Sequence, residues 1–345
     1  MKPFSFKPVS HSWVALHPQA KGAIQFIGGA FFGTFAPTFF YRYLLRFFYE
    51  QDYTIIVYPF AFSFNHYKES FFLLREQYLL IPELVSMAAA EGAEPSIYLS
   101  AENYIWLGHS IGCKYIALLE AADQLPSSEA ALKEFLERLF DAEPIDDFSP
   151  RQREKIIDQI QYFLAGLRDE SRQSRRRVVQ QLRLQGEATD HLEDGVTGSV
   201  YADLFIRDQA SVLLAPVNSN TSDAIKPKAF ADWVDRLGWG VNPSPGLTRK
   251  LITMSQLFNL LVLASFGSDN IARETVKWFT TVLKKPPKPW WQIFDGGHFR
   301  PLGVRVGKWV INPMDRQRFV ESVDRRDQGF ERLLSELLTT VKKTL

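Results

Sequence analysis

The stretch Tyr104-Ile-Trp-Leu-Gly-His-Ser-Ile-Gly-Cys-Lys114 decides the reading of this chain. It passes from a run of β-forming residues into a run that suits a helix, and its centre, Gly108-His109-Ser110-Ile111-Gly112, is a G-x-S-x-G pattern. A sharp strand-to-helix turn forces the central serine into a strained backbone conformation, and small residues two places on either side let neighbouring chains come close. The Ser110 hydroxyl is then presented at the C-terminal edge of a sheet. Beside it stand the N–H groups that open the helix, with Ile111 supplying the first donor for an oxyanion.

Working outward, strand-like segments at 22–27, 53–58 and 104–107 alternate with helix-like segments at 37–50, 67–91 and 112–122. This alternation is the pattern of a mostly parallel sheet with helices on its faces. Residues 124–207 then read as an all-helical insertion. Ser127 or Ser128 caps a helix with Leu132, Phe135, Leu136, Leu139 and Phe140 on one stripe. Ser149, Pro150 and Gln152 start a second helix whose face carries Ile156, Ile157, Ile160, Phe163, Leu164 and Leu167, and a third, basic helix is expected over 175–184. Strands resume at 210–216, 259–266 and 290–294, and Phe330, Leu333, Leu334, Leu337 and Leu338 mark a C-terminal helix closing one face. The expected organisation is a core of 1–123 and 208–345 interrupted by a helical cap over 124–207. Its helices would form a lid over the Ser110 edge.

A serine hydroxyl at neutral pH needs a base, and the chain has six histidines: His11, His17, His66, His109, His191 and His298. His109 adjoins Ser110, so its side chain should point away from it; His11 and His17 precede the sheet's core, and His191 lies in the insertion. His298 follows the last strand in Phe-Asp-Gly-Gly-His-Phe-Arg-Pro, where Gly296 and Gly297 permit a path that aims the imidazole back across the edge. A carboxylate must hold that imidazole in the right tautomer. Asp269, after the 259–266 strand, completes the order serine, aspartate, histidine. Asp295, very near His298 in the chain, and Asp223 are the rivals. Phe26-Ile-Gly-Gly-Ala-Phe-Phe-Gly supplies the loop for a second oxyanion donor, with Gly28 and Gly29 freeing the backbone and Ala30 giving its N–H. The competing reading is a glycine-rich turn with no ligand. His66 and His109 are added as pocket residues, while Cys113 reads as a small packed hydrophobe and the Arg172, Arg175, Arg176 and Arg177 cluster as a solvated face.

Composition narrows the function classes. With 345 residues and 46% hydrophobic content the chain can bury a sizeable core, and a net charge of +1 leaves no footprint for collecting phosphates, so nucleic acid is not an expected partner. One cysteine excludes an internal disulfide framework and any metal cluster built on thiolates. No apolar run follows the charged N-terminus, and Arg42 and Arg46 interrupt the most apolar stretch, 34–49, so neither a secretory signal nor a membrane span is read and a cytoplasmic location is expected.

Taken together these residues resemble the α/β-hydrolase superfamily. Phe26-Ile-Gly-Gly-Ala-Phe, Phe64-Asn-His, the Gly-His-Ser-Ile-Gly elbow and Asn242-Pro-Ser-Pro are similar to a hydrolase-like domain family of unknown function found in cyanobacteria and plant plastids. The resemblance implies a parallel sheet with a lid and hydrolysis of an ester or related bond. The expected activity is a serine esterase working through an acyl-enzyme on an apolar acyl or isoprenoid ester, small-molecule or lipid-like, with no cofactor and no metal. Peripheral contact with a membrane surface stays open, as do acyl transfer and a non-catalytic binding or assembly role on the same scaffold.

Overall fold

Every residue of Tyr104–His109 is buried, because this strand lies in the interior of an eight-stranded sheet with helices on both faces. The computed structural model describes residues 3–122, 125–126, 128–141, 149–192, 198–201, 206, 208–220, 240–255, 261–315 and 318–342. The strands are β1 (Lys7–Val9), β2 (Ser12–Ala15), β3 (Ala23–Ile27), β4 (Thr54–Val57), β5 (Tyr104–His109), β6 (Ala210–Leu214), β7 (Leu261–Phe266) and β8 (Trp291–Phe294), in the spatial order β1-β2-β4-β3-β5-β6-β7-β8. From β4 to β8 neighbouring strands pair in parallel, and only β1 and β2 run antiparallel at one edge. That order, with a serine at the turn after β5, defines the α/β-hydrolase fold.

The helices among the described residues include α1 (Ala30–Thr34), α2 (Pro37–Phe40), α3 (Arg42–Tyr49), α4 (His66–Glu91), α5 (Ile111–Ala122), α6 (Glu129–Asp141), α7 (Pro150–Leu184) and α8 (Pro245–Ser255), with a C-terminal helix at Arg332–Lys342. Strand alternation divides the core between two faces. Tyr104 and Trp106 of β5 point into one cluster with Leu74, Tyr78 and Leu119 of α4 and α5. Ile105 and Leu107 point into the other, with Leu44 and Phe48 of α3 and Leu334 and Leu338 of the C-terminal helix.

The insertion belongs to the first of these clusters. Ile156, Ile157, Ile160, Leu164, Leu167, Val178 and Leu182 of α7 share it with Leu132, Leu136 and Leu139 of α6. Along α4, Phe163 stacks on Phe71 at 5.5 Å, Arg75 meets Glu170 at 3.1 Å, and Ser174 Oγ donates to the Tyr78 carbonyl. The pairs advance together along both chains, so α7 runs parallel to α4 as an outer layer. The second and third expected helices are one helix of 35 residues, opened by a complete Ser149/Gln152 capping box with Pro150 in its first turn. No proline interrupts it, and its single glycine, Gly166, is tolerated in a helix whose apolar stripe is buried.

The strands not anticipated from sequence are short, three or four residues each. The β1–β2 hairpin is fastened by buried Glu76 of α4, whose carboxylate accepts from His11 N at 2.7 Å, Ser12 Oγ at 2.9 Å and Ser10 Oγ at 3.0 Å. A separate antiparallel sheet of β9 (Val304–Val306), β10 (Trp309–Ile311) and β11 (Val320–Ser322) follows the His298 loop. Ser127 and Asp223 lie outside the described residues, as do the first two residues of the expected 259–266 strand.

Candidate active site

Ser110 sits between β5 and α5 with φ +56°, a left-handed conformation that costs a non-glycine residue on the order of 1–3 kcal/mol. Neighbouring backbone holds it there. Its N–H donates to the Leu214 carbonyl at 3.0 Å, and its carbonyl accepts from Val217 N at 3.1 Å and Cys113 N at 3.2 Å. Both flanking glycines are required by space. A Cβ on Gly108 would lie 2.8 Å from Ile116 Cδ1 and 2.9 Å from Cys113 N, and one on Gly112 would lie 2.4 Å from the Ile27 carbonyl oxygen. The start of α5 therefore presses directly on the end of β3.

The structure brings Ser110, His298 and Asp269 into one line. His298 Nε2 is 2.9 Å from Ser110 Oγ, and His298 Nδ1 is 2.9 Å from Asp269 Oδ2. An ionised carboxylate only accepts, so Nδ1 carries the proton and Nε2 is left to accept from the serine hydroxyl. Asp269 is itself fixed, because its Oδ1 accepts from Ile271 N at 2.8 Å and Ala272 N at 3.0 Å. Burial alone would raise its pKa, but the hydrogen bond to His298, the charge of that ring and these two amides outweigh burial and hold the carboxyl below its ordinary value. Loops after β7 and β8 are tied together through Gly267 N to the Phe294 carbonyl and Ser268 N to the Gly296 carbonyl, each 2.9 Å, which sets Asp269 beside His298. The rival Asp295 is 90% exposed and pairs with Arg318 at 3.2 Å.

The glycine loop after β3 meets the same serine. A Cβ on Gly29 would stand 3.2 Å from Ser110 Cβ, and one on Gly28 would stand 2.7 Å from Gly33 Cα. Gly29 is the N-cap of α1, with Ala30 its first residue, and Ile111 is the first residue of α5. The opening amides of a helix have no partner within it, and the starts of α1 and α5 both adjoin the serine.

The four residues named beside the triad and the oxyanion donors, Gly28, Gly29, His66 and His109, all make buried contacts. His109 is 1% exposed, and both its ring nitrogens are engaged, Nδ1 with Tyr41 Oη at 2.7 Å and Nε2 with the His298 carbonyl at 2.8 Å. It lies buried under the site. The Gly29 amide is likewise taken, donating to Tyr41 Oη at 2.8 Å, and Gly28 is a packing contact against Gly33 and Tyr41. His66 is buried at the start of α4, edge-on to Tyr115 at 5.5 Å. Burial, with the charge of Lys114 second, pushes the His66 pKa down to about 3, so it is neutral.

Some supporting groups have roles that only the fold reveals. Asn65 caps α4 by accepting from Lys68 N at 3.0 Å, and its neighbours bond to a distant segment: His66 N to the Asn242 carbonyl and Asn242 N to the Phe64 carbonyl, each 2.7 Å. Lys114, one turn beyond Ser110, is buried and donates to the Pro243 carbonyl at 2.8 Å. The Phe64-Asn-His and Asn242-Pro-Ser-Pro segments are thus tied to each other and, through Lys114, to the helix that follows the serine. Behind His298, Arg300 pairs with Glu321 at 2.6 Å and Arg326 with Glu331 at 2.7 Å, all four buried. Arg326 also donates to the carbonyls of Arg300 at 2.7 Å and Leu302 at 3.1 Å, clamping the turn that follows the histidine. Cys113 is packed as a hydrophobe, and burial pushes its thiol well up. Among the described residues no group of three or more His, Cys, Asp or Glu lies close enough to hold a metal ion, and no helix is long and apolar enough to cross a membrane.

The α/β-hydrolase fold and a serine, histidine and aspartate joined across its sheet edge define the class. Residues 5–133 match a family described as proteins of unknown function (DUF1350). That span holds the glycine loop, Tyr41, His66 and the elbow but neither Asp269 nor His298. No curated protein sequence matches the chain. Solved structures similar to it include esterase 2 of Thermogutta terrifontis phosphonylated by sarin, 14% identical, covering 96% of that chain and 99% of this one with a TM-score of 0.45. The butyrate-bound form of that enzyme is 14% identical over 88% of its chain and 96% of this one, with a TM-score of 0.42. Esterase B of Lactobacillus rhamnosus is 9% identical over 81% of its chain and 96% of this one, with a TM-score of 0.45.

Proposed function

We propose that the protein is a serine hydrolase that cleaves an ester through an acyl-enzyme. The observation that carries this reading is the unbroken hydrogen-bond line from Ser110 Oγ through His298 to Asp269, with 2.9 Å at both links and the serine held at positive φ. As Ser110 Oγ attacks the ester carbonyl, its proton passes to His298 Nε2, and Asp269 stabilises the resulting imidazolium while remaining ionised. The amides of Ala30 and Ile111 hold the tetrahedral oxyanion. Collapse breaks the bond to the alcohol, which leaves with the proton from Nε2. Water then repeats the sequence on the acyl-enzyme, giving the acid and the free serine.

The ester we infer is apolar. Phe31, Phe35, Phe39 and Phe62 stand exposed on the segments that follow β3 and β4 at the serine's edge, with Phe31 and Phe35 ring centroids 5.2 Å apart. Solvated phenylalanines clustered at a catalytic edge suit an acyl chain better than a sugar or peptide. The helical insertion, docked on α4 beside this edge, is proposed to act as a lid by bounding the cleft on that side. Hydrolysis of p-nitrophenyl esters of graded chain length tests both points. The expected result is Ser110-dependent turnover that rises from acetate towards medium chains. Turnover that Ser110→Ala leaves intact refutes the mechanism, and a preference for acetate over every longer chain refutes the apolar site.

A further inference from the structure

Beneath the reacting groups, Tyr41 and His109 join three chain segments far apart in sequence. The direction of each hydrogen bond in this group follows from chemistry. The His298 carbonyl only accepts, so His109 Nε2, 2.8 Å away, must carry a proton and donate it. A neutral imidazole has one donor and one acceptor, which leaves Nδ1 to accept from the Tyr41 hydroxyl at 2.7 Å. The Tyr41 oxygen in turn accepts from Gly29 N at 2.8 Å. One ordered line therefore runs from the glycine loop, through Tyr41 and His109, into the main chain of His298. All of it is buried, and a Cβ at Gly29 would meet Ser110, His109 and Tyr41 together at 3.2, 3.3 and 3.3 Å.

Both side chains stay neutral across the physiological range. Burial, with the neighbouring His298 second, pushes the His109 pKa down to about 3, and burial pushes the Tyr41 phenol far above its ordinary value. Neither has Ser110 Oγ among its hydrogen-bond partners, so neither is placed to take the serine's proton.

We propose that Tyr41 and His109 are positioning residues: they lock the loop bearing the Ala30 amide and the loop bearing His298 into register on either side of Ser110. This rests on the hydrolase reading above and adds to it. By occupying the Gly29 amide, Tyr41 turns the next peptide so that Ala30 supplies the oxyanion donor. By occupying the His298 carbonyl, His109 sets the approach of that imidazole to the serine. A displacement of about 1 Å in such a constellation costs on the order of 100-fold in rate.

The test uses Tyr41→Phe, His109→Leu and His109→Gln in the full chain. The carboxamide of the last offers one donor and one acceptor, as neutral imidazole does. Tyr41→Phe and His109→Leu should each lower kcat roughly 10- to 100-fold while KM stays within about threefold, the double variant should fall little further than the worse single, and His109→Gln should recover most of the loss. A readout independent of turnover is the imidazole nitrogen spectrum. Wild-type His109 should be the Nε2–H tautomer, and the His298 ring signals should shift in Tyr41→Phe. Unchanged kcat in both variants, additive losses, or His298 signals that ignore Tyr41→Phe overturn the proposal. Should His109→Leu fail to fold, Tyr41→Phe and His109→Gln carry the same tests. Wild-type protein inactive on every ester while the His298 signals respond as expected contradicts the hydrolase reading and leaves the positioning line standing.

Discussion

Ser110→Ala is expected to lower kcat for ester hydrolysis by roughly 10⁴- to 10⁶-fold with the fold unchanged, and His298→Ala by a similar factor. The loss is chemical. Alanine occupies the volume of a serine at a turn fixed by backbone contacts to Leu214, Val217 and Cys113, so no packing is removed with the hydroxyl. Members of a proton-transfer line act as one unit, because a nucleophile without its base and a base without its nucleophile are both idle. The double variant should therefore lose little more than either single. Steady-state kinetics beside thermal melts provide the measurement. Residual activity within tenfold of wild type moves the nucleophile elsewhere, and losses that add on a logarithmic scale separate the two residues.

Acid should destabilise the protein well before its ordinary carboxylates titrate. His66 and His109 are both pushed from 6.5 to about 3, chiefly by burial. Above pH 6.5 the folded and unfolded chains both hold them neutral. Below that, the unfolded chain binds a proton on each and the folded chain does not until about pH 3, so stability is lost as pH falls through this window. The slope is about 1.4 kcal/mol per pH unit for each histidine, or about 4 kcal/mol for the pair between pH 7 and 5. Asp269, held below its ordinary value, acts lower down, its contribution fading as pH falls through its folded pKa. Glu69 and Glu331, whose carboxyls burial pushes up, gain stability as pH falls. Those terms cancel when wild type is compared with His66→Gln/His109→Gln. Urea unfolding at pH 7 and 5 should show the wild type losing the larger increment. Equal losses in the two proteins would show that neither histidine is held neutral by the fold.

The sheet was legible because its strands obey simple rules. Segments at 22–27, 53–58 and 104–107 are rich in β-branched and aromatic residues, and helices long enough to cross over separate them. The convergence of Ser110, Asp269 and His298 was legible for a related reason, since each follows a strand and parallel strands deliver their following loops to one edge. What escaped sequence depends on partners distant in the chain. Tyr41 looks like one aromatic among many in an apolar helix, and only the fold sets its hydroxyl between Gly29 and His109. His109 was expected to point away from its neighbour Ser110, and strand alternation does send its ring beneath the site, but that it ends on the main chain of His298 only the fold reveals. Nothing local in the sequence marks Arg300 and Arg326 as buried, and only the fold sets Glu321 and Glu331 beside them. The β1–β2 hairpin and the β9–β11 sheet have strands of three or four residues, too short for periodicity to register.

The central claim, that Ser110 is a nucleophile activated by His298, is tested most directly by covalent labelling. A fluorophosphonate probe should add once to the wild-type chain, with the adduct mapped by mass spectrometry to the peptide containing Ser110. Ser110→Ala should show none, and His298→Ala should label at a rate lower by several orders of magnitude. A folded wild-type protein that leaves Ser110 unlabelled, or labels equally fast without His298, would contradict the account.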